Sequence, residues 1–178
     1  GMFSGIVLAG EENKDDYKKV IESENLKVDL SGDIIGVQVS AALKNILAVF
    51  IGILHGMGLG DNAKAYFMTK GLEEIKQIGL KWGGQEETFY GLAGLGDVIV
   101  TCTSEHSRNR HVGEEIGKGR KLTDVLKEME MVAEGVTTVK EAMALQERFD
   151  IELPIISALF EILFEAKDPK TVLQKLSI

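Results

Sequence analysis

From Ile34 to Leu54 apolar side chains fall on nearly every face of a helix, a pattern a water-soluble chain satisfies by making that helix the centre of its core. Asp33, just ahead, supplies an N-cap, and the glycines at 56, 58 and 60 stop the helix near Leu54. The longest apolar stretch inside it, 46–54, is too short to cross a bilayer unaided, so no transmembrane segment is expected. A second helix starts at Asp61-Asn62, turns Ala65, Met68, Leu72 and Ile75 inward, and ends at Gly79. Further helical patterns cover 107–116, 123–129, 137–149 and 154–166, and a last helix opens on Asp168 as cap with Pro169 in its first turn. The front reads differently, with a strand at Gly5–Ala9, a charged helix over 12–23 and an alternating strand at Leu26–Leu30. The expected fold is mainly all-α, a helical bundle over 36–178 with a short β-α-β unit over 1–35.

Charge narrows the partners. With 28 acidic and 20 basic side chains the chain carries a formal charge of -8, which disfavours nucleic acid or an anionic membrane surface. An anionic substrate would then need a local basic site. The single cysteine, Cys102, has no intrachain disulfide partner and no secretion signal is evident, so the cytoplasm is the expected compartment. Gly1 ahead of Met2 reads as a cloning remnant.

Three places carry residues suited to chemistry. Lys44, beside Asn45 in an apolar run, holds an amine that costs free energy unless it is paired or exchanging a proton; a lysine that snorkels to the surface or serves one structural ion pair is the plainer reading. Asp97 ends the glycine-rich stretch Gly91–Gly96 within 83–106, where a functional loop or broken helix is expected; it is a natural partner for Lys44 or, more plainly, a cap for the turn at Val98. Hydroxyls at Thr101, Thr103, Ser104 and Ser107 precede Arg108, Asn109 and Arg110 at a helix start, where free N–H groups and a guanidinium suit a phosphate. A capped basic turn is the plainer reading: it explains Ser107 well and Arg110 less directly, and the density of hydroxyls less well. His55, His106 and His111 lack metal-type spacing, and Trp82, Phe89 and Tyr90 are expected to pack.

Read as strings, the segments Gly36–Asn45, Gly60–Ala65, Gly91–Asp97, Thr101–Ser104, Ser107–Arg110 and Glu134–Val136 resemble the bacterial NAD(P)-dependent glycerol-3-phosphate dehydrogenases. The resemblance implies an all-α domain similar to the C-terminal domain of 6-phosphogluconate dehydrogenase, behind a Rossmann domain of which residues 1–35 are the closing β-α-β. It implies hydride transfer between NAD or NADP and carbon 2 of the substrate, interconverting sn-glycerol 3-phosphate and dihydroxyacetone phosphate. Lys44 then matches the catalytic lysine, with Asn45, Asp97 and Thr101 ordering it and the substrate. Ser107, Arg108 and Asn109 match the substrate-binding triplet, and Arg108, Val132 and Glu134 match positions that contact the cofactor. A homodimer is a further expectation, since such dehydrogenases pair through this domain.

The sequence departs from that family at Ser40 and Ala41, where it usually has two glycines, at Gln38, where glutamate is usual, and at Lys70, where a point charge replaces a bidentate arginine. A glycine-rich dinucleotide fingerprint between strand and helix is missing, so the chain alone is expected to hold NAD weakly and turn over poorly. A phosphate-ligand binding module and an assembly role through the bundle are the alternatives to a catalytic domain.

Overall fold

The computed structural model describes residues 2–129 and 133–176. Strands β1 (Ser4–Ala9) and β2 (Leu26–Ser31) run parallel, from Ser4 opposite Leu26 to Ala9 opposite Ser31, with helix α1 (Lys14–Ile21) crossing between them. Then come α2 (Ile34–Gly56), α3 (Asp61–Lys81) and the short α4 (Glu86–Tyr90). A π-helical turn (Leu92–Gly96) leads directly into α5 (Asp97–Thr103). The bundle is completed by α6 (Arg108–Gly117), α7 (Leu122–Glu128), α8 (Glu134–Phe149), α9 (Pro154–Phe164) and α10 (Pro169–Lys175).

The expectation for α2 holds over its second half. Every residue from Ile46 to Leu54 is buried, whereas Ile35, Gln38, Ala41 and Ala42 in the first half are exposed. Among the described residues α2 is the one helix long and apolar enough to cross a membrane, but here its apolar half forms the centre of the protein core. Asp33 caps it as expected, accepting from Gly36 N at 2.8 Å. Its other oxygen accepts from Gln85 N at 2.8 Å and Thr88 Oγ1 at 2.6 Å, so one carboxylate joins the starts of α2 and α4. Burial raises the Asp33 carboxyl, yet these three donors together hold it below the ordinary carboxylate value.

What fixes α6 against α2 is a set of glycines. A Cβ on Gly52 or Gly56 would overlap the carbonyl oxygens of Arg110 or Glu114, and one on Gly113 or Gly117 would overlap those of Val49 or Ile53. The two helices therefore touch main chain to main chain. Gly56 does sit at the end of α2, as read from sequence, but its neighbours show that it also serves this seam. The paired four-residue spacing on both helices was the available signal.

Two boundaries differ from expectation for tertiary reasons. Gly79 does not end α3, which continues to Lys81; it leaves room for the fully buried ring of Phe89. Helix α8 starts at Glu134 instead of Thr137, because its first turn is capped from another helix: Gly135 N donates to Asn109 Oδ1 at 2.9 Å. The stretch 83–106 takes the broken-helix form of the two expected, as α4, the π turn and α5. Ser40 is buried and its hydroxyl has no hydrogen-bond partner, a cost of about 1–3 kcal/mol.

Glu74 on α3 is 3% exposed, and its two oxygens accept from Ile155 N at 2.7 Å and Ile156 N at 3.1 Å at the start of α9. Burial pushes its carboxyl up from 4.5 to about 7, against the opposing pull of those two N–H groups. The unfolded chain releases this proton near pH 4.5 while the folded chain retains it to about 7. The stabilisation is complete below pH 4.5 and is lost as pH rises through 7. Replacing it with an uncharged isostere, Glu74→Gln, should therefore raise the variant's stability relative to wild type by up to about 3 kcal/mol between pH 4.5 and 8. Thermal unfolding at the two pH values checks this; an unchanged difference would show that Glu74 does not titrate in that window.

Candidate catalytic and anion-binding site

Lys44 lies on the open half of α2, and Asp97 is the first residue of α5. Their Nζ and Oδ2 atoms are 2.5 Å apart, with the two side chains 23% and 29% exposed. The amine is thus paired and half-buried at a rim, not enclosed by the apolar run around it. The π turn delivers Asp97 here, and its carboxylate does not cap α5: Gly96 stands at the cap with no side-chain bond. Thr101, one turn on, donates its hydroxyl to Asp97 O at 2.6 Å and lies 3.4 Å from Asp97 Oδ1. That contact braces the residue carrying the carboxylate.

A cleft of about 550 Å³ opens beside the pair. Ile6, Val37, Ala41 and Leu92 give it apolar walls, and Asp97 supplies its charge. Ala41, where the resemblance leads one to expect glycine, adds a methyl group to this wall.

The second group stands at the start of α6. Ser107 is the cap, accepting from Arg110 N at 3.3 Å. Arg110 turns back toward Ser104 O at 3.5 Å and Glu114 at 3.8 Å. The capped-turn reading therefore accounts for Ser107 and Arg110. It leaves Arg108, which is exposed and makes no ion pair among the described residues, next to the free N–H groups of the first turn.

Asn109 joins the two groups. Its Nδ2 donates to Asn45 Oδ1 at 3.0 Å, across from α6 to α2, while its Oδ1 takes the Gly135 N–H from α8. Lys44 and Arg108 are each one residue from this bond. Glu134, exposed, opens α8 beside it, and its carbonyl accepts from the Thr137 and Thr138 hydroxyls at 2.9 Å each. Val132 lies outside the described residues. Lys70 lies over the Tyr66 ring at 5.9 Å and lines a different hollow with Glu73 and Glu152. Cys102 is buried, which pushes its thiol up to about 12 and removes it from nucleophilic chemistry near neutral pH.

Residues 33–174 match the family model described as the NAD-dependent glycerol-3-phosphate dehydrogenase C-terminus. The chain is 51% identical over 154 residues to glycerol-3-phosphate dehydrogenase [NAD(P)+] of Bacillus subtilis, covering 86% of this chain and 45% of that protein. It is 47% identical over 159 residues to the same enzyme of Lacticaseibacillus paracasei, again covering 45% of the relative. Among solved structures, glycerol-3-phosphate dehydrogenase of Coxiella burnetii superposes with a TM-score of 0.92 at 34% identity, over 98% of this chain and 55% of that one. The yeast enzyme from Saccharomyces cerevisiae gives 0.87 at 27%, over 96% and 53%. The chain spans about half the length of the relatives it matches.

Proposed function

The chain belongs to the NAD-dependent glycerol-3-phosphate dehydrogenase C-terminal family, and from that premise we propose that it supplies the substrate-binding and proton-transfer half of an enzyme interconverting sn-glycerol 3-phosphate and dihydroxyacetone phosphate. Residues 1–35 in this reading close a nucleotide-binding sheet, and 36–178 form the catalytic domain. The observation that carries it is the Asn45–Asn109 hydrogen bond, which ties the helix carrying Lys44, paired with Asp97, to the helix start carrying Arg108.

Each side chain then has a task. Arg108 and the first N–H groups of α6 take the phosphate, by charge and by aligned donors. Lys44, held by Asp97, stands at the substrate oxygen: it gives a proton as the ketone is reduced and takes one as the hydroxyl is oxidised. Thr101 steadies Asp97, and Asn45 donates to a substrate oxygen. NAD or NADP, when bound, accepts or supplies the hydride at carbon 2. The apolar cleft beside Asp97 has room for a flat ring, and Arg108, Val132 and Glu134 are assigned to the cofactor by the family resemblance alone. Apolar walls there exclude water from the transfer.

Calorimetric titration of the chain with glycerol 3-phosphate tests the anion half directly. Removing the guanidinium with Arg108→Ala should weaken binding roughly 10- to 100-fold, the range of a hydrogen bond to a charged group. Unchanged affinity would move the phosphate site elsewhere.

A further inference from the structure

We propose that Asp33 is a positioning residue for the reaction: without belonging to the Lys44–Asp97 pair, its buried carboxylate sets their spacing by fixing the two chain segments that carry them. The inference rests on the reading of that pair as the proton-transfer group. Asp33 is 5% exposed and stands one residue ahead of α2, which carries Lys44 about three turns further on. Its Oδ1 takes the Gly36 N–H and so closes the first turn of that helix. Its Oδ2 takes the Gln85 N–H and the Thr88 hydroxyl, so the first turn of α4 starts from the same carboxylate. Glycines permit this approach. A Cβ on Gly84 would meet Gly36 Cα at 3.1 Å, and one on Gly36 would meet Thr88 Cγ2 at 3.1 Å and overlap the Asp33 carboxylate.

From Thr88 to Asp97 the chain has little slack. The Phe89 ring fills the place left by Gly79 and holds α4 on α3. Lys76 grips the outer side of α4, donating to Tyr90 Oη at 2.7 Å and to Glu86 Oε1 at 3.2 Å. The Gly91 N–H bonds back to Glu87 O and Thr88 O, and Gly91 O then takes the Gly94 and Gly96 N–H groups of the π turn. A Cβ on Gly94 would overlap the Phe89 carbonyl, so the turn lies on the main chain of α4. Asp97 follows as the first residue of α5 with no loop between. A shift of α4 against α2 therefore passes to Asp97, while Lys44 moves with α2. Phe89 and Lys76 tie α4 to α3, whereas the hydrogen bonds to Asp33 tie it to the helix of Lys44. Arg108 is insulated from this joint, because α6 is seated on the far half of α2 by the glycine seam.

Three substitutions separate this role from a merely structural one. Asp33→Asn keeps the shape but only one oxygen, so whichever way the amide turns, one of the two helix starts loses its acceptor. Thr88→Val removes just the hydroxyl, and Thr88→Ser retains it. With the chain joined behind a family nucleotide-binding domain, Asp33→Asn should lower kcat about 10- to 100-fold, the cost of displacing a reacting group by up to about 1 Å. KM for glycerol 3-phosphate should change less than about threefold, since Arg108 stays in place. Thr88→Val should lower kcat about three- to tenfold, and Thr88→Ser should stay within about twofold of wild type. Asp168→Ala, which strips the cap from α10, is the stability control and should leave kcat unchanged. In the 15N-labelled chain alone, the Lys44 Nζ signal is identified by its loss in Lys44→Met. It should move and exchange faster with water in Asp33→Asn and Thr88→Val, and match wild type in Thr88→Ser. A folded Asp33→Asn or Thr88→Val protein with wild-type kcat overturns the positioning role, as does a loss carried by KM instead of kcat, or an unmoved Lys44 signal. If the wild-type joined enzyme turns over no glycerol 3-phosphate, the functional reading fails, while the Lys44 signal still decides whether Asp33 sets the pair.

Discussion

In the chain joined behind a family nucleotide-binding domain, Lys44→Met lowers kcat by roughly 100- to 10,000-fold, the usual contribution of a positioned acid or base. Methionine keeps the length and most of the volume of lysine but carries no proton. The loss should fall mainly on kcat, because Arg108, the proposed phosphate contact, lies on another helix. Lys44→Arg should restore little: a guanidinium stays protonated at any usable pH and cannot act as the base in oxidation. Asp97→Asn should impair turnover as well, since it removes the charge 2.5 Å from Nζ. Steady-state kinetics in both directions, with circular dichroism on each variant, make the measurement. A folded Lys44→Met enzyme with near-normal kcat would leave the ion pair a structural one and remove the proposed mechanism.

Gly113→Ala should destabilise the protein by about 2 kcal/mol or more: core overpacking costs roughly 1–3 kcal/mol and occasionally more, a clash with main chain falls at the top of that range, and about 1 kcal/mol is returned by alanine's better helix propensity. The new methyl meets the Val49 carbonyl oxygen, and Ile53 N lies 2.9 Å from the same point. Neither can step aside as a side-chain tip does, so α6 must move bodily away from α2. For a chain of this size the midpoint should drop by about 4–8 °C or more in thermal unfolding. Gly60→Ala is the control, because a methyl there meets nothing within 4 Å, and its cost should stay under about 1 kcal/mol. A Gly113→Ala midpoint within 2 °C of that control, on the order of measurement error, would mean the seam has slack. The same shift pulls Asn109 from Asn45, so glycerol 3-phosphate affinity should fall alongside stability.

Much of the architecture was legible because its signals are local. Asp33, Ser107 and Asp168 each cap a helix where the sequence places a cap, each accepting an N–H three residues on. The parallel strands at the front follow from alternation and from short apolar runs. Lys44 and Asp97 stood out as a charge in an apolar run and an acid after glycines, although nothing in either segment alone says that they meet across 53 residues. What stayed hidden depends on two distant segments at once. The start of α8 is set by an oxygen on α6, and Gly79 looked like a stop because the ring that fills its place, Phe89, comes ten residues later. Lys44 is less enclosed than the apolar run around it suggests, because α2 reaches the surface over its first half.

The α2–α6 seam has a consequence for how such a chain tolerates change. Side chains in a core can be exchanged for others of similar bulk with small readjustments that accumulate as drift between helices. Between Val49 and Gly117 the contact surfaces are peptide groups, whose dimensions no substitution alters. The seam therefore works as a datum face in a machined part: errors elsewhere in the bundle are taken up around it without being passed along it. Asn45 and Asn109 sit at the same end of that interface, so their spacing inherits the tolerance of the backbone, tighter than any that packed side chains provide.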